Sequence, residues 1–135
     1  MTIQMASAGT TATGYFNATG NRIEPFKSER VIVERKDNWI EILGSMNLGF
    51  PGGRGFNLKI NAFTSSGERE FVPGGDIAWV YYTNDEGDFY AGSGKFNANL
   101  NNSTKKYQIT FKLEFFRYLE IEGYIEVTEK LLINV

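Results

Sequence analysis

The sequence predicts an all-β protein: an antiparallel β-sandwich or flattened barrel of about 8–10 strands with meander and hairpin connections. Three observations support this prediction. Apolar and polar residues alternate along short runs, turn-forming residues separate these runs, and helical periodicity is nearly absent. The gaps between runs are too short for a crossover helix, which favours antiparallel neighbours. A length of 135 residues fits one domain over residues 1–135, with residues 1–9 expected to be disordered.

The clearest strands are the runs 56–63, 107–115 and 119–127. Their residues expected to face the core are Phe56, Leu58, Ile60, Ala62, Tyr107, Ile109, Phe111, Leu113, Phe115, Leu119, Ile121, Ile125 and Val127. Further strands are expected at 11–18, 30–35, 39–46, 77–82 and 89–100, and less regular alternation marks 69–72 and 131–135. Clusters of Asn, Asp, Ser and Gly lie between most of these runs, as strand-connecting turns require.

The last two clear runs should form a hairpin around residues 116–118. A three-residue loop would place Phe111 opposite Gly123, where an aromatic ring covering a glycine stabilises the sheet. The same register would place Glu114 opposite Glu120, which is unfavourable for two like charges. A β-bulge or a bound ligand would relieve that conflict.

Composition excludes several kinds of chemistry. The chain has no Cys and no His, so disulfides, thiolate nucleophiles, Ser-His-Asp catalysis and conventional zinc sites are all excluded. The net charge is −2, which offers no basic excess for phosphates and argues against nucleic acid as a partner. We therefore predict no catalytic residue, no metal and no cofactor.

Targeting signals are also lacking in the sequence as it stands. The first nine residues have neither a positive region nor a long apolar stretch, so they do not resemble a signal peptide. No run approaches the roughly 18 apolar residues that a transmembrane helix needs. We expect a cytoplasmic protein, unless a leader has been removed.

Four polar or glycine-rich segments are candidate sites. The loop 49–55 carries Arg54 among exposed amides and could hold an anion or a sugar, although a plain connection is favoured because no helix follows it. Residues 87–95 resemble a P-loop but lack its Lys-Ser/Thr ending, so Gly92 and Gly94 are assigned to a bend or bulge. The acidic turn 84–88 does not meet the EF-hand pattern and is read as a hairpin turn.

The fourth segment is a row of glutamates, namely Glu120, Glu122 and Glu126 with Glu114 across the hairpin. Neighbours on one face of a strand lie roughly 6.5–7 Å apart. That spacing overlaps the carboxylate separation of inverting glycosidases. A solvated strand face explains the row better, because no other feature indicates a sugar-cleaving site.

Aromatic residues supply the best binding candidate. Two strands that should pair across 84–87 carry Trp79, Tyr81, Tyr82, Phe89 and Tyr90. Alternation turns some of these rings outward, and exposed rings beside polar groups suit carbohydrate recognition, whereas packing in a two-sheet core is the more common use of such rings. The candidate ligand-binding residues are Arg54, Asp76, Trp79, Tyr81, Asn84, Asp88 and Tyr90.

The stretch 56–128 combines a particular order of strands with Tyr90-Ala-Gly-Ser-Gly-Lys-Phe96, Ile109-Thr-Phe-Lys-Leu113 and a closing Glu122-Gly-Tyr-Ile-Glu126. In these features it resembles small bacterial all-β domains of uncharacterised function that are often carried on lipoproteins. The resemblance implies an all-β fold without catalytic residues. Lipoprotein members carry a lipidated Cys, which this chain lacks.

Three functions remain open at this point. The leading hypothesis is a non-catalytic module that binds carbohydrate or another small ligand. The second is a structural or assembly protein that forms homo-oligomers through an aromatic face or an edge strand. The third and least favoured is an enzyme that uses buried carboxylates.

Overall fold

The computed structural model describes residues 10–47 and 49–129, and side chains from Ala12 onward. The expectations for residues 1–9 and for a strand at 131–135 lie outside the described residues. The strands are β1 (Thr10–Thr11), β2 (Thr13–Gly20), β3 (Phe26–Lys27), β4 (Arg30–Lys36), β5 (Trp39–Met46), β6 (Arg54–Asn61), β7 (Gly67–Glu70), β8 (Ile77–Asn84), β9 (Gly87–Asn101), β10 (Lys106–Phe115) and β11 (Leu119–Thr128).

The predicted all-β antiparallel fold is confirmed: the sheet is curled into a half-barrel. Its order is β1-β4-β5-β6-β8-β9-β10-β11-β2-β3, and β7 pairs separately with β9. From β4 to β11 the path is therefore a meander interrupted by β7. Among the described residues, no helix is long and apolar enough to cross a membrane.

The N-terminal segment joins the two ends of the curled sheet. β1 pairs with β4, β2 pairs with β11, and only Ala12 separates the two strands. The backbone N–H of Ala12 donates to the carbonyl of Val31 at 3.0 Å. The pairing of β2 with β11 was not predicted, because nothing in the local alternation links strands about one hundred residues apart.

Side chains on the concave face fill the core. Every residue predicted to face inward on the three clearest strands is buried. Phe16 of β2 stacks on Phe56 of β6 with ring centroids 5.1 Å apart, so strands far apart in the order of the sheet share one core. A Cβ built on Gly44 of β5 would lie 2.7 Å from the Cβ of Phe16, so only glycine permits this approach.

The hairpin of β10 and β11 has the predicted register. Phe115 pairs with Leu119 and Phe111 with Gly123, and the loop is residues 116–118. The ring of Phe111 occupies the space that a side chain at Gly123 would need. The predicted aromatic cover of a cross-strand glycine is therefore confirmed.

The strand β9 changes partners along its length, which allows the sheet to curl. Its first residues, to Tyr90, pair with β8, and its later residues pair with β10. Ser93 lies opposite Glu114 and Ala91 opposite Phe115, so Gly92 is the extra residue of a bulge. Of the two glycines predicted to form a bend or bulge, Gly92 lies at the bulge, and Gly94 pairs regularly with Leu113.

Several strand predictions differ from the structure: the strand expected at 11–18 is divided into β1 and β2, and the strand expected at 56–63 is β6, Arg54–Asn61. The strand expected at 69–72 is β7, Gly67–Glu70, and Phe71 beyond it is buried in the core. β3 was not predicted, because Phe26 and Lys27 form too short a segment to show alternation. Phe26 packs edge-on against Phe56 at a centroid distance of 4.9 Å, which explains why so short a strand is held in place.

Candidate functional site

The candidate site is the outer surface of β5, β6, β8 and β9, and we call it the outer aromatic face. Alternation sends one set of side chains inward on each strand and the other set outward. Register then aligns the outward set in two rows, since Lys59 pairs with both Glu41 and Trp79, and Asn57 lies beside Tyr81. The residues of the outer aromatic face are Trp39, Glu41, Asn57, Lys59, Trp79, Tyr81 and Tyr90.

Lys59 lies between two indole rings. Its Nζ is 4.7 Å from the ring centroid of Trp79 and 5.6 Å from that of Trp39. Both distances fall within the range of cation–π attraction. The ammonium group thus places a positive charge beside both tryptophans.

Asn57 connects the outer rings to a carboxylate. Its side chain is only 4% exposed, although it points away from the core. Its Nδ2 donates to Oε2 of Glu41 at 2.7 Å, and its Oδ1 accepts the indole N–H of Trp79 at 2.8 Å. Buried amides that are hydrogen-bonded on both sides fix their neighbours, so Glu41 and Trp79 are held in defined orientations.

Tyr81 and Tyr90 extend the face toward the start of β9. They are cross-strand partners with ring centroids 4.9 Å apart, and Tyr90 is 51% exposed. Burial raises the pKa of the Tyr81 phenol, and the nearby phenol of Tyr90 and the carboxylate of Asp88 raise this pKa further. The phenol of Tyr81 therefore remains a neutral hydrogen-bond donor and acceptor at neutral pH.

A depression of about 400 Å³ adjoins the Trp39 end of this face. Its lining combines charged side chains of both signs with one indole. The lining residues are Glu34, Lys36, Asp37, Trp39, Glu41 and Lys59. The arrangement offers flat apolar rings beside carboxylate and ammonium groups, a combination that can bind hydroxyl-rich ring compounds through ring stacking and hydrogen bonds.

Three of the predicted site residues lie together on this face, namely Trp79, Tyr81 and Tyr90. Trp79 and Tyr81 are half-buried, whereas Val80 and Tyr82 between and beyond them are buried in the core. Asp88 lies near them, where its carboxylate accepts a hydrogen bond from Oγ1 of Thr83 at 2.6 Å.

Two other predicted site residues, Asn84 and Asp76, are not part of the outer aromatic face. Oδ1 of Asn84 accepts the backbone N–H of Glu86 at 2.8 Å and so stabilises the turn between β8 and β9. Asp76 is exposed, and its backbone carbonyl accepts the N–H of Asn61 at 2.7 Å.

Arg54 lies apart from the outer aromatic face. Its guanidinium donates to the backbone carbonyls of Glu24 at 2.7 Å and Pro25 at 2.9 Å, and it lies 5.5 Å from the ring centroid of Phe26. The group therefore holds the segment before β3 against the barrel end. The backbone N–H of Gly52, in the same loop, donates to Asp85, which ties this loop to the β8–β9 turn.

The glutamate row lies on the outer face of the hairpin, as predicted. Glu122 forms an ion pair with Lys112 at 3.8 Å, and Glu126 forms one with Lys106 at 3.6 Å. Exposed ion pairs of this kind are the ordinary arrangement of a solvated strand face.

Four residues of the outer aromatic face were not predicted: Trp39, Glu41, Asn57 and Lys59. The alternation of the runs 39–46 and 56–63 already places them opposite the core side. The sequence does not show that β6 lies between β5 and β8 in the sheet, because β7 separates β6 from β8 along the chain. A test of outward residues against alternative strand pairings would have found them.

Comparison with known proteins adds no further information. No protein-family profile, curated protein or solved structure matches this chain. The resemblance to lipoprotein-type domains stays a prediction.

Proposed function

We propose that this protein is a carbohydrate-binding β domain and that the outer aromatic face is its binding surface. The observation that carries the proposal is the row of partly exposed rings, Trp79, Tyr81 and Tyr90, beside the fixed polar pair Asn57 and Glu41. Sugars present apolar C–H faces to aromatic rings and hydroxyl groups to carboxylates, amides and phenols.

The polar groups are suited to this role because they are already oriented. The bond from Asn57 uses one oxygen of Glu41, so the other carboxylate oxygen is available to accept from a sugar hydroxyl. The phenol of Tyr81 can both donate and accept. Binding to groups that are held in place beforehand loses less conformational entropy than binding to free side chains.

The direct test is a glycan array probed with the purified chain, followed by calorimetry on each sugar that binds. Trp79→Ala and Tyr90→Ala should each weaken binding by tenfold or more, by removing ring surface that the sugar covers. Phe63→Ala and Tyr124→Ala are the matched controls, because both side chains are exposed and lie outside the outer aromatic face. No binding to any glycan, or equal loss in the control variants, would overturn the proposal.

The exposed aromatic rings also favour a second candidate, self-association through the same face. Tyr90 is 51% exposed, and exposed aromatic side chains are enriched in protein interfaces. Light scattering over a range of concentrations separates the two proposals. A dimer that Tyr90→Ala converts to monomer would support association, and a monomer at high concentration would count against it.

A further inference from the structure

A second candidate site lies at the tip of the β10–β11 hairpin, which we call the hairpin-tip pocket. It is a depression of about 640 Å³. Its lining includes Tyr90, Ser93, Glu114, Phe116, Tyr118 and Glu120. Of these, Tyr90 also belongs to the outer aromatic face.

Two like charges meet in this pocket. Glu114 and Glu120 are directly opposite each other in the hairpin, and both are exposed. The neighbouring pair in the same row, Lys112 and Glu122, has opposite charges 3.8 Å apart. Within residues 10–47 and 49–129, no lysine or arginine forms an ion pair with Glu114 or Glu120. Lysines thus pair with the glutamates at 122 and 126, whereas Glu114 in the pocket accepts a hydrogen bond from Oγ of Ser93 at 3.4 Å.

Exposed aromatic rings line the same depression as the two carboxylates. Phe116 is 65% exposed, Tyr118 84% and Tyr90 51%. The backbone N–H of Phe116 donates to the carbonyl of Tyr90 at 3.0 Å, which holds the hairpin tip against β9. Three rings and two carboxylates therefore line one depression, with the tip fixed rather than detached.

Aromatic rings beside carboxylates favour an organic cation over a metal ion. A metal ion prefers several oxygen ligands, and the described residues contain no group of three or more acidic side chains, His or Cys placed to hold one. An alkylammonium group instead gains from ring faces through cation–π attraction and from carboxylates through charge. We propose that the hairpin-tip pocket binds a small molecule through a quaternary or alkylated ammonium group.

Arg117 also lines the pocket. Its positive charge competes with a cationic ligand, so removal of this charge should strengthen binding. That expectation distinguishes charge recognition from simple burial of an apolar group, which would not respond to Arg117 in this direction.

The test uses choline as the probe and its uncharged carbon isostere, dimethylbutanol, as the matched comparison. Titration followed by amide NMR should show choline shifting the signals of residues 114–120, with little effect from the isostere. The double variant Glu114→Gln plus Glu120→Gln should weaken choline binding about tenfold or more. Arg117→Ala should strengthen it. The double variant Glu122→Gln plus Glu126→Gln is the control and should bind like the wild type.

Several outcomes would overturn the proposal: no shift with choline at high concentration, equal binding of the isostere, or equal loss in the two double variants. Phosphatidylcholine vesicles form a second arm. If the protein sediments with the vesicles and free choline abolishes this sedimentation, the ligand is a lipid headgroup. If the protein binds choline but does not sediment with the vesicles, the ligand is a free small molecule. Tyr90 belongs to both sites, so the sugar proposal is judged here on Trp79→Ala, which lies outside the hairpin-tip pocket, and the two proposals then fail independently.

Discussion

The side-chain oxygen of Asn57 accepts the indole N–H of Trp79 at 2.8 Å, so a buried amide on β6 fixes an aromatic ring on β8. The same amide donates to Glu41 on β5 at 2.7 Å. One side chain thus joins three neighbouring strands on the face that we propose as the binding surface. Because it is 4% exposed, water cannot easily replace either bond.

Asn57→Ala should therefore lower the free energy of unfolding by about 1–3 kcal/mol, since it leaves the indole N–H and the carboxylate of Glu41 without their partner. Urea unfolding at neutral pH measures this change. Asn99→Ala is the control, because Asn99 is an exposed asparagine on β9, and its replacement should stay within about 0.5 kcal/mol of wild type. Equal stabilities of the two variants would show that the Asn57 bonds contribute nothing.

Local patterns predicted the hairpin of β10 and β11 in full. Alternation gave the inward face, and the loop 116–118 then determined every partner from Phe115 and Leu119 onward. Register in a hairpin depends on loop length and on which face is buried, and both can be read from adjacent residues. The pairing of Phe111 with Gly123 followed from the same two facts.

The outer aromatic face could be predicted only in part. Tyr81 and Tyr90 are close in sequence and meet across a short turn, so their proximity was predictable. Lys59 contacts Trp79 because β6 pairs with β8, although β7 lies between these two strands in sequence. Alternation within one strand carries no information about such pairing. The position of Arg54 could not be predicted either, since a loop sequence cannot reveal that its guanidinium reaches the carbonyls of Glu24 and Pro25.

Gly123→Ala should destabilise the fold by about 1–3 kcal/mol, because the new methyl group would enter the space of the Phe111 ring. That ring cannot move easily, since it packs in the core with Phe16 and Phe115, each at a centroid distance of 6.3 Å. Thermal or urea unfolding measures the effect. Combining Gly123→Ala with Phe111→Leu should cost less than the sum of the two single variants, because the smaller side chain makes room.

Gly92→Ala is the matched control for Gly123→Ala. A Cβ at Gly92 meets nothing within 4 Å, so the variant should remain within about 0.5 kcal/mol of wild type. If Gly123→Ala were as harmless as Gly92→Ala, the contact with Phe111 would have no role in stability.

At alkaline pH, the burial of Tyr107 should make the free energy of unfolding depend on pH. Burial raises the pKa of its phenol above the usual 10.0. The unfolded chain then ionises Tyr107 at a lower pH than the folded chain does, so the stabilising contribution is complete below the unfolded pKa and is lost as pH rises toward the folded pKa. Between about pH 9 and pH 11, the wild type should lose more unfolding free energy than Tyr107→Phe. Other groups titrate in both proteins, so the difference between them reports Tyr107, and parallel pH profiles would contradict the prediction.

The two glutamates of the hairpin-tip pocket should reduce stability in the absence of a ligand. Glu114 and Glu120 are cross-strand partners with like charge, so Glu120→Lys should raise the free energy of unfolding by about 0.2–1 kcal/mol. The gain should shrink in high salt, because exposed charges are screened. Glu122→Lys is the matched control with the opposite sign, since it replaces the ion pair with Lys112 by two like charges and should lower stability. Unfolding curves of both variants at low and high salt measure these effects, and a destabilising Glu120→Lys would mean that the pocket carboxylates are compensated by a contact within the protein.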